Sequence, residues 1–426
     1  MLEDYGFEKI YPNDDGPTVV VGMSGGVDSS VSAYILRWQG YRVIGLFMKN
    51  WEERGEYCPA EADFSDVKRV CETIGIPYYS INFSNEYMDN VFKQFLDGLE
   101  RGFTPNPDIL CNREIKFGPF LQYADKIGAE FIATGHYCRG GTAAWSAGTE
   151  STRLVCGTRP SEKVDHLAVA QTVLDFASVL SVPADHAAAP KLLKGLDPNK
   201  DQSYFLCALT PKQLSRVIFP IGHLRKETVR QIAGKVGLVT ASKKDSTGIC
   251  FIGERRFRDF LKTYFGNRGG DIRTLDGTFV GKHIGLMYYT IGQRKGLGIG
   301  GKKSSRKENS TEQQQPGPAS RWFVVRKDLK TNTLYVNNGE CEELYSKTLA
   351  ASRFNWIENP PSQETQTRCT AKTRYHQPDQ PCTVQITDDG GVKVTFDAAQ
   401  RAITPGQWVV LYDGDICLGG GQIEGD

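Results

Sequence analysis

No apolar stretch in the chain approaches the ~18 residues that a membrane-crossing helix needs, so no membrane partner is expected. No Cys-x-x-Cys pair occurs among the 11 cysteines, and the 6 histidines lack ligand-like spacing, so no resident metal site is expected. No Arg-rich leader is visible: residues 1–15 carry Glu3, Asp4, Glu8, Asp14 and Asp15 against Lys9, the wrong composition for a mitochondrial transit segment. Cysteines without regular close spacing and without a secretory signal point to a reducing compartment, the cytoplasm, with the mitochondrial matrix as alternative. Charge of one sign is also missing. A net charge of +1 exerts no global pull on nucleic acid, so any RNA site must be built from local clusters. Such clusters occur at Lys243-Lys244, at Arg255-Arg256 with Arg258, and between Lys302 and Lys330. Runs of this kind also serve as ordinary solvated surface.

What is present is one chemically pointed turn. The β-branched run Thr18-Val19-Val20-Val21 leads into Gly22-Met23-Ser24-Gly25-Gly26-Val27-Asp28-Ser29 and then into a helical pattern. Gly25 and Gly26 can take backbone angles that aim consecutive N–H groups into one hollow, where an anion fits. Ser24 and Ser29 add hydroxyl donors, and the helix adds its positive end. A Walker loop would place a lysine after the glycines, and none is there. The turn therefore suits a pyrophosphate rather than γ-phosphoryl transfer. Asp28 is expected to hold the Mg²⁺ that neutralises it. A tight turn with no ligand is the plainer alternative.

From residue 18 to about 138 short β-rich runs alternate with amphipathic segments, which predicts an α/β fold with a doubly wound parallel sheet. Strands are expected at 18–22, 42–48, 78–82 and 131–134, and helices at 29–38, 64–74, 86–98 and 115–127. Residues 140–195 read as an insertion with one helix at 167–180. Helices return at 211–218 and 226–236, and after about 268 the chain becomes β-rich, as small barrels require. The polar segment 301–320 is expected to be a disordered loop. The domain outline is 1–253 (catalytic), 254–337 (central, β-rich) and 338–426 (C-terminal barrel).

Two cysteines stand in suggestive settings. Asn106-Pro107-Asp108-Ile109-Leu110-Cys111-Asn112 puts Cys111 after a Pro-stiffened turn and before a helix expected near Arg113, where a thiolate would be favoured. Asp245-Ser246-Thr247-Gly248-Ile249-Cys250 places a second thiol after a Ser/Thr/Gly turn. Spacing does not say whether the two meet, and both also fit as small buried hydrophobes.

Ten motifs occur in order: GMSGGVDSS from Gly22, FMKNW from Phe47, TPNPD from Thr104 with Cys111-Asn112, ATGHY from Ala133 and KDQSYFL from Lys200. PIGHL from Pro220, STGICFIG from Ser246, YTIGQ from Tyr289, AKTRY from Ala371 and PGQ from Pro405 follow. With them the chain resembles the tRNA-specific 2-thiouridylases, PP-loop ATP pyrophosphatases that put sulfur on C2 of the wobble uridine. The match runs over about 17–425 apart from 140–195 and 301–320. The resemblance implies ATP with Mg²⁺ as cofactors, with Gly22, Met23, Ser24, Gly25, Gly26, Val27, Asp28 and Ser29 on the phosphates and Met48 and Gly135 on the adenine nucleoside. It implies Cys250 as persulfide carrier, Cys111 as partner nucleophile and a Cys111–Cys250 disulfide reset by a cellular reductant. Attack by hydrosulfide freed at Cys111 uses the same residues. Asp108 would act as general acid/base or orient the base, a turn-capping role being the alternative.

By the same resemblance, Asn106, Pro107 and Asp108 contact the target base, and His136, Lys200, Asp201, Gln202, Arg374, Tyr375 and Gln407 touch tRNA. Arg374-Tyr375 also makes sense unaided, as a phosphate contact beside a stacking ring. The implied partners are tRNA, through its anticodon loop, and a persulfide sulfur-donor or relay protein. Two rivals remain: a PP-loop enzyme that delivers ammonia, which needs no reactive cysteine pair, and a non-catalytic RNA-binding protein.

Overall fold

The computed structural model describes residues 1–51, 59–140, 190–245, 257–299, 321–363 and 365–425. Cys250, the helix expected at 167–180 and the loop expected at 301–320 lie outside them.

Strand β1 (Thr18–Met23) is buried along nearly its whole length, as a central strand of a parallel sheet covered on both faces must be. It feeds helix α1 (Val27–Trp38), and β2 (Arg42–Lys49), α2 (Pro59–Ile74) and β3 (Tyr78–Asn82) follow. The chain then winds through Ser84–Tyr87, a π turn and α3 (Lys93–Glu100), then α4 (Pro107–Cys111) and α5 (Pro119–Lys126), before β4 (Phe131–Ala133). Strands β5 (Cys138–Gly140) and β6 (Leu192–Lys194) precede β7 (Val217–Ile218) and helix α6 (Lys226–Val236). The five parallel strands lie in the order β3-β2-β1-β4-β7. Chain direction across the sheet reverses between β1 and β4, and ligands of such sheets bind at that opening, beyond the carboxyl ends of the strands.

Helix α7 (Phe257–Phe265) leads to β8 (Gly270–Thr274), β9 (Phe279–His283), β10 (Trp322–Asp328) and β11 (Thr333–Asn338), which form one sheet of order β10-β11-β8-β9. The last strands are β12 (Tyr345–Trp356), β13 (Thr367–Lys372), β14 (Gln380–Ile386), β15 (Val392–Arg401), β16 (Trp408–Asp413) and β17 (Ile416–Ile423). They run β12-β15-β14-β13-β16-β17, and β12 pairs back onto β17, closing a barrel without a free edge. Alternate residues of β15, Val392, Val394 and Phe396, point into its core. On β13 and β14, Cys369 and Cys382 stand opposite each other with sulfurs 3.7 Å apart.

The expected α/β sheet followed by β-rich barrels is what the chain forms. Two local expectations fail. The helix expected at 211–218 stops after one turn, Pro211–Leu214, closed by a Thr210/Gln213 capping box. Its Val217-Ile218 end becomes the fifth strand, since two β-branched residues before Phe219-Pro220 are worth more in the buried sheet than in a helix that proline would end. The helix expected at 115–127 breaks at Gly118-Pro119. Strand β6 forms the end of the 140–195 segment, pairs with β5 and joins the barrel through Leu193 and Ile416.

Loops weld the three sheets together around residues 102–106. Thr104 N–H donates to the Pro405 carbonyl at 2.8 Å and the Gln407 amide donates to the Thr104 carbonyl at 2.6 Å. Lys327 donates to the Gly102 carbonyl at 2.9 Å. Burial alone brings the Lys327 ammonium down to about 8. No helix among the described residues is long and apolar enough to cross a membrane.

Gly222 tests this packing, because a Cβ there would stand 1.5 Å from the Cys138 carbonyl oxygen. Gly222→Ala is expected to destabilise the protein by about 2 kcal/mol or more, read as a drop in the midpoint of chemical denaturation.

Candidate active site at the switch between β1 and β4

The turn after β1 takes the form its residues demand. Gly25 has φ of +73°, and a Cβ there would lie 2.6 Å from the Asp63 carbonyl of α2, so only glycine fits. Ser29 Oγ accepts from Ser24 N–H at 3.2 Å and lies 3.2 Å from Ser24 Oγ, so two hydroxyls face one another across the hollow. Ser24 itself is exposed, while Ser29 and Ser30 are buried with their hydroxyls donating to the Gly26 carbonyl. At the end of β4, Gly135 packs so closely on α1 that a Cβ would stand 2.7 Å from Ser29 N. Met48, at the end of β2, has its methyl 3.2 Å from where a Gly22 Cβ would be. Gly22, Met48, Gly135 and the Ser24–Ser29 turn thus share one end of the sheet.

Asp28 does not stand free for a metal. Lys226 Nζ donates to both of its oxygens at 2.8 Å, and the Tyr137 hydroxyl donates to one at 2.7 Å. Asp28, the expected Mg²⁺ ligand, anchors an ion-pair cluster. Lys226 also reaches Asp245 at 2.9 Å, which holds Lys200 at 2.7 Å and Arg230 at 2.6 Å. Burial raises the Asp245 carboxyl, but hydrogen bonds from Lys200 and Lys226 outweigh it and hold it at about 2. Burial first, then the neighbouring Asp28 charge, raises the Tyr137 phenol and keeps it a donor.

The second half of the site is the 106–116 helical stretch. Asn106 caps α4 through its side chain, accepting from Asp108 N–H at 3.1 Å and Ile109 N–H at 3.4 Å, with Pro107 at the first helical position. The helix therefore begins at Pro107 and not near Arg113. Cys111 ends it, 1% exposed, and the chain continues into a π turn, Asn112–Lys116. Thiolate stabilisation by a helix N-terminus does not apply at that position, and Arg113 is paired with Glu114 at 2.7 Å. The same capping gives Asp108 its place in the first turn. Burial raises its carboxyl while the Lys116 ammonium opposes the shift.

Lys116 also acts on His136, so α4, its π turn and the end of β4 meet there. His136 is buried, with Nδ1 2.8 Å from Thr134 Oγ1 and its ring 6.0 Å from Phe117. Burial, then Lys116, depresses its pKa well below 6.5.

The other residues expected to meet tRNA divide. Asp201 is spent on its own turn, accepting from Gly195 N–H at 3.0 Å and Ser203 N–H at 3.1 Å, and Gln202 Oε1 accepts from Tyr137 N–H at 3.0 Å. Lys200 holds Asp245. One terminal nitrogen of Arg374 donates to Ile291 O at 3.2 Å, Ala402 O at 3.0 Å and Thr404 Oγ1 at 3.2 Å, joining the barrel to the central sheet. Tyr375 lies between Phe205, at 4.4 Å between ring centroids, and exposed His376, at 4.2 Å. The Phe205 carbonyl accepts from the Asn112 amide at 3.0 Å, which links this aromatic column to the Cys111 stretch. Lys243, part of a candidate basic cluster, binds Asp63 at 2.8 Å and Asp66 at 2.6 Å instead.

Sequence reasoning missed Lys226, Tyr137 and Asp245. Tyr137 closes the ATGHY motif and Asp245 precedes STGICFIG, though neither was given a role, and Lys226 had one signal: a lysine opens the helical pattern, the wrong end for its charge.

A phosphate-shaped turn at the switch point of a parallel sheet defines a nucleotide-binding α/β enzyme of the PP-loop type. Residues 17–254 match the family described as tRNA methyl transferase HUP domain, 258–338 the PRC-barrel domain and 346–423 the aminomethyltransferase beta-barrel domain. Curated relatives are close along the whole chain. The tRNA-specific 2-thiouridylase MnmA of Aeromonas salmonicida is 49% identical over 95% of this chain and 96% of its own. That of Pseudomonas fluorescens is 51% identical over 95% and 94%, and that of Alkaliphilus oremlandii 48% over 95% and 96%. The chain belongs to the tRNA-specific 2-thiouridylase family.

The buried, neutral His136 makes a pH prediction. Below 6.5 the unfolded chain takes up a proton at this residue that the folded protein refuses, so stability falls as pH drops below 6.5. His136→Asn is expected to flatten the part of the acid loss between pH 6.5 and 5, measured by thermal denaturation across pH.

Proposed function

We propose that this protein replaces the C2 oxygen of the wobble uridine of tRNA with sulfur, using ATP to activate the base, in the cytoplasm. The observation that carries the reading is the convergence of the Ser24–Ser29 turn and the Asn106–Cys111 helix through Gly135, His136 and Lys116. The family names carried by its relatives supply the substrate.

The carbonyl oxygen of uracil is a very poor leaving group, so it must be converted first. Attack of that oxygen on the α-phosphate of ATP makes an adenylated base and expels pyrophosphate into the Ser24–Ser29 hollow, where N–H groups and hydroxyls receive it. Met48 and Gly135 flank the nucleoside. Since Asp28 is bound to Lys226, the Mg²⁺ that accompanies ATP is carried in this reading by the nucleotide's own oxygens.

Asn106, Pro107 and Asp108 meet the flipped base, and a carboxyl raised by burial, as at Asp108, is suited to proton transfer near neutral pH. Cys250, outside the described residues, is assigned as persulfide carrier on the resemblance alone. Its terminal sulfur attacks C2 and AMP leaves. The Cys111 thiolate then attacks Cys250 Sγ, which frees the thiocarbonyl and forms a disulfide, and a reductant supplying two electrons restores both thiols. Because Cys111 is 1% exposed, the surrounding stretch has to open for that attack. Gln407, on the Thr104 carbonyl, and the Phe205–Tyr375–His376 column border the base-binding loop as tRNA contacts. The domain outline 1–253, 254–337 and 338–426 assigns nucleotide chemistry to the first unit and RNA contacts to the first and third.

With unmodified tRNA, ATP, Mg²⁺, a persulfide sulfur donor and a thiol reductant, Cys111→Ser and Cys250→Ser are expected to lower 2-thiouridine formation by roughly 100-fold or more, while tRNA-dependent pyrophosphate release stays within severalfold of wild type. Nucleoside mass spectrometry and pyrophosphate assay check this. Unchanged sulfur incorporation in both variants would refute the relay, methylated uridine would favour the chemistry in the family description, and no tRNA-dependent pyrophosphate would favour simple RNA binding.

A further inference from the structure

The glycines of the phosphate turn are followed by no lysine, yet a lysine ammonium stands at the turn. We propose that Lys226 is the cation of this loop, meeting the pyrophosphate end of ATP from the first turn of α6. The inference rests on the ATP reading above and deepens it.

Lys226 is 9% exposed and is the first residue of an 11-residue helix whose cap, Arg225, makes no side-chain capping bond. Burying a positive charge at the positive end of a helix is unfavourable twice over, so helix stability does not explain the residue. What holds it is the phosphate loop. Its ammonium has three N–H donors, and these serve Asp28 Oδ1 and Oδ2 at 2.8 Å each and Asp245 at 2.9 Å. To meet a phosphate, one bond must be released, and the two carboxylates are not equal in this. Asp28 would keep the Tyr137 hydroxyl alone, whereas Asp245 would keep Lys200 at 2.7 Å and Arg230 at 2.6 Å. Lys226 can therefore stay anchored on Asp28 and exchange Asp245 for a phosphate oxygen.

Asp28 adjoins Ser29, whose hydroxyl closes the hollow. An ammonium fixed on Asp28 adds a full positive charge where the hollow itself offers N–H and hydroxyl dipoles. In a Walker loop the lysine is local to the loop. Here the same charge comes from a helix nearly 200 residues further along, which ties nucleotide binding to the docking of α6 on α1 (198 residues separate Asp28 and Lys226).

Equilibrium binding of ATP and of AMP to the full chain, without tRNA, tests the assignment, because AMP lacks the pyrophosphate. Lys226→Gln is expected to weaken ATP binding by roughly 10- to 100-fold and AMP binding by less than about threefold, with part of the ATP affinity recovered in Lys226→Arg. Asp245→Asn, which frees the ammonium in advance, is expected to tighten ATP binding by roughly two- to fivefold and leave AMP binding unchanged. Equal losses for both nucleotides in a folded Lys226→Gln protein would make Lys226 a structural strut and overturn the proposal, as would no loss at all. If Lys226→Gln does not fold, Asp245→Asn decides, and unchanged or weaker ATP binding overturns it. Wild-type protein that binds neither nucleotide would overturn the ATP reading itself, and this inference with it.

Discussion

The near-contact between Gly135 and the start of α1 is the constraint on which the rest depends. Strands β1 and β4 are parallel neighbours whose following segments must leave the sheet on different sides, and a residue with a side chain at 135 would push them apart by colliding with Ser29 and Asp28. Because glycine stands there, β4 can end against the phosphate turn, and His136 and Tyr137 arrive beside it with their roles already set. Tyr137 holds Asp28, and His136 faces the Asp108 helix across Lys116. The phosphate turn and the Asp108 helix are joined for this reason.

At this end of the sheet the charges are internally balanced. Lys226 bridges Asp28 and Asp245, and Asp245 also holds Lys200 and Arg230. Such a cluster fixes distances well, with the buried Lys226 ammonium at its centre. It also keeps the anionic Asp28 close to a hollow meant for anions, a placement that would repel phosphate if its charge were not already met.

Much of this was legible in the sequence, and the limits follow from physics. The turn was readable because Gly25 takes a backbone angle that favours glycine, and the strands were readable because parallel strands buried on both faces are nearly all apolar. Val217-Ile218 was misread because two residues cannot show a period, and a sheet edge waiting for them is invisible locally. Cys111 was placed before a helix because Pro107 looked like the end of a turn, whereas with Asn106 before it proline is a helix start. The ion pair of Asp28 was not legible because its partner comes from α6. Asp201 and Gln202 illustrate the reverse case, since residues that fit an RNA contact are engaged in holding their own turn and Tyr137.

The barrel holds a feature with a practical side. Cys369 and Cys382 face each other across β13 and β14, and Cys369 borders a surface cavity with Arg368 and Asp413. The Cys382 hydrogen bond, then the Arg368 charge, overcome burial and lower the Cys369 thiol, whereas Cys71, Cys138, Cys207 and Cys417 are raised by burial. Thiol-modifying reagents will therefore find a willing target on the barrel, and stoichiometries of alkylation or of disulfide on this protein include a bystander that must be subtracted before sulfur atoms are assigned to the catalytic cycle.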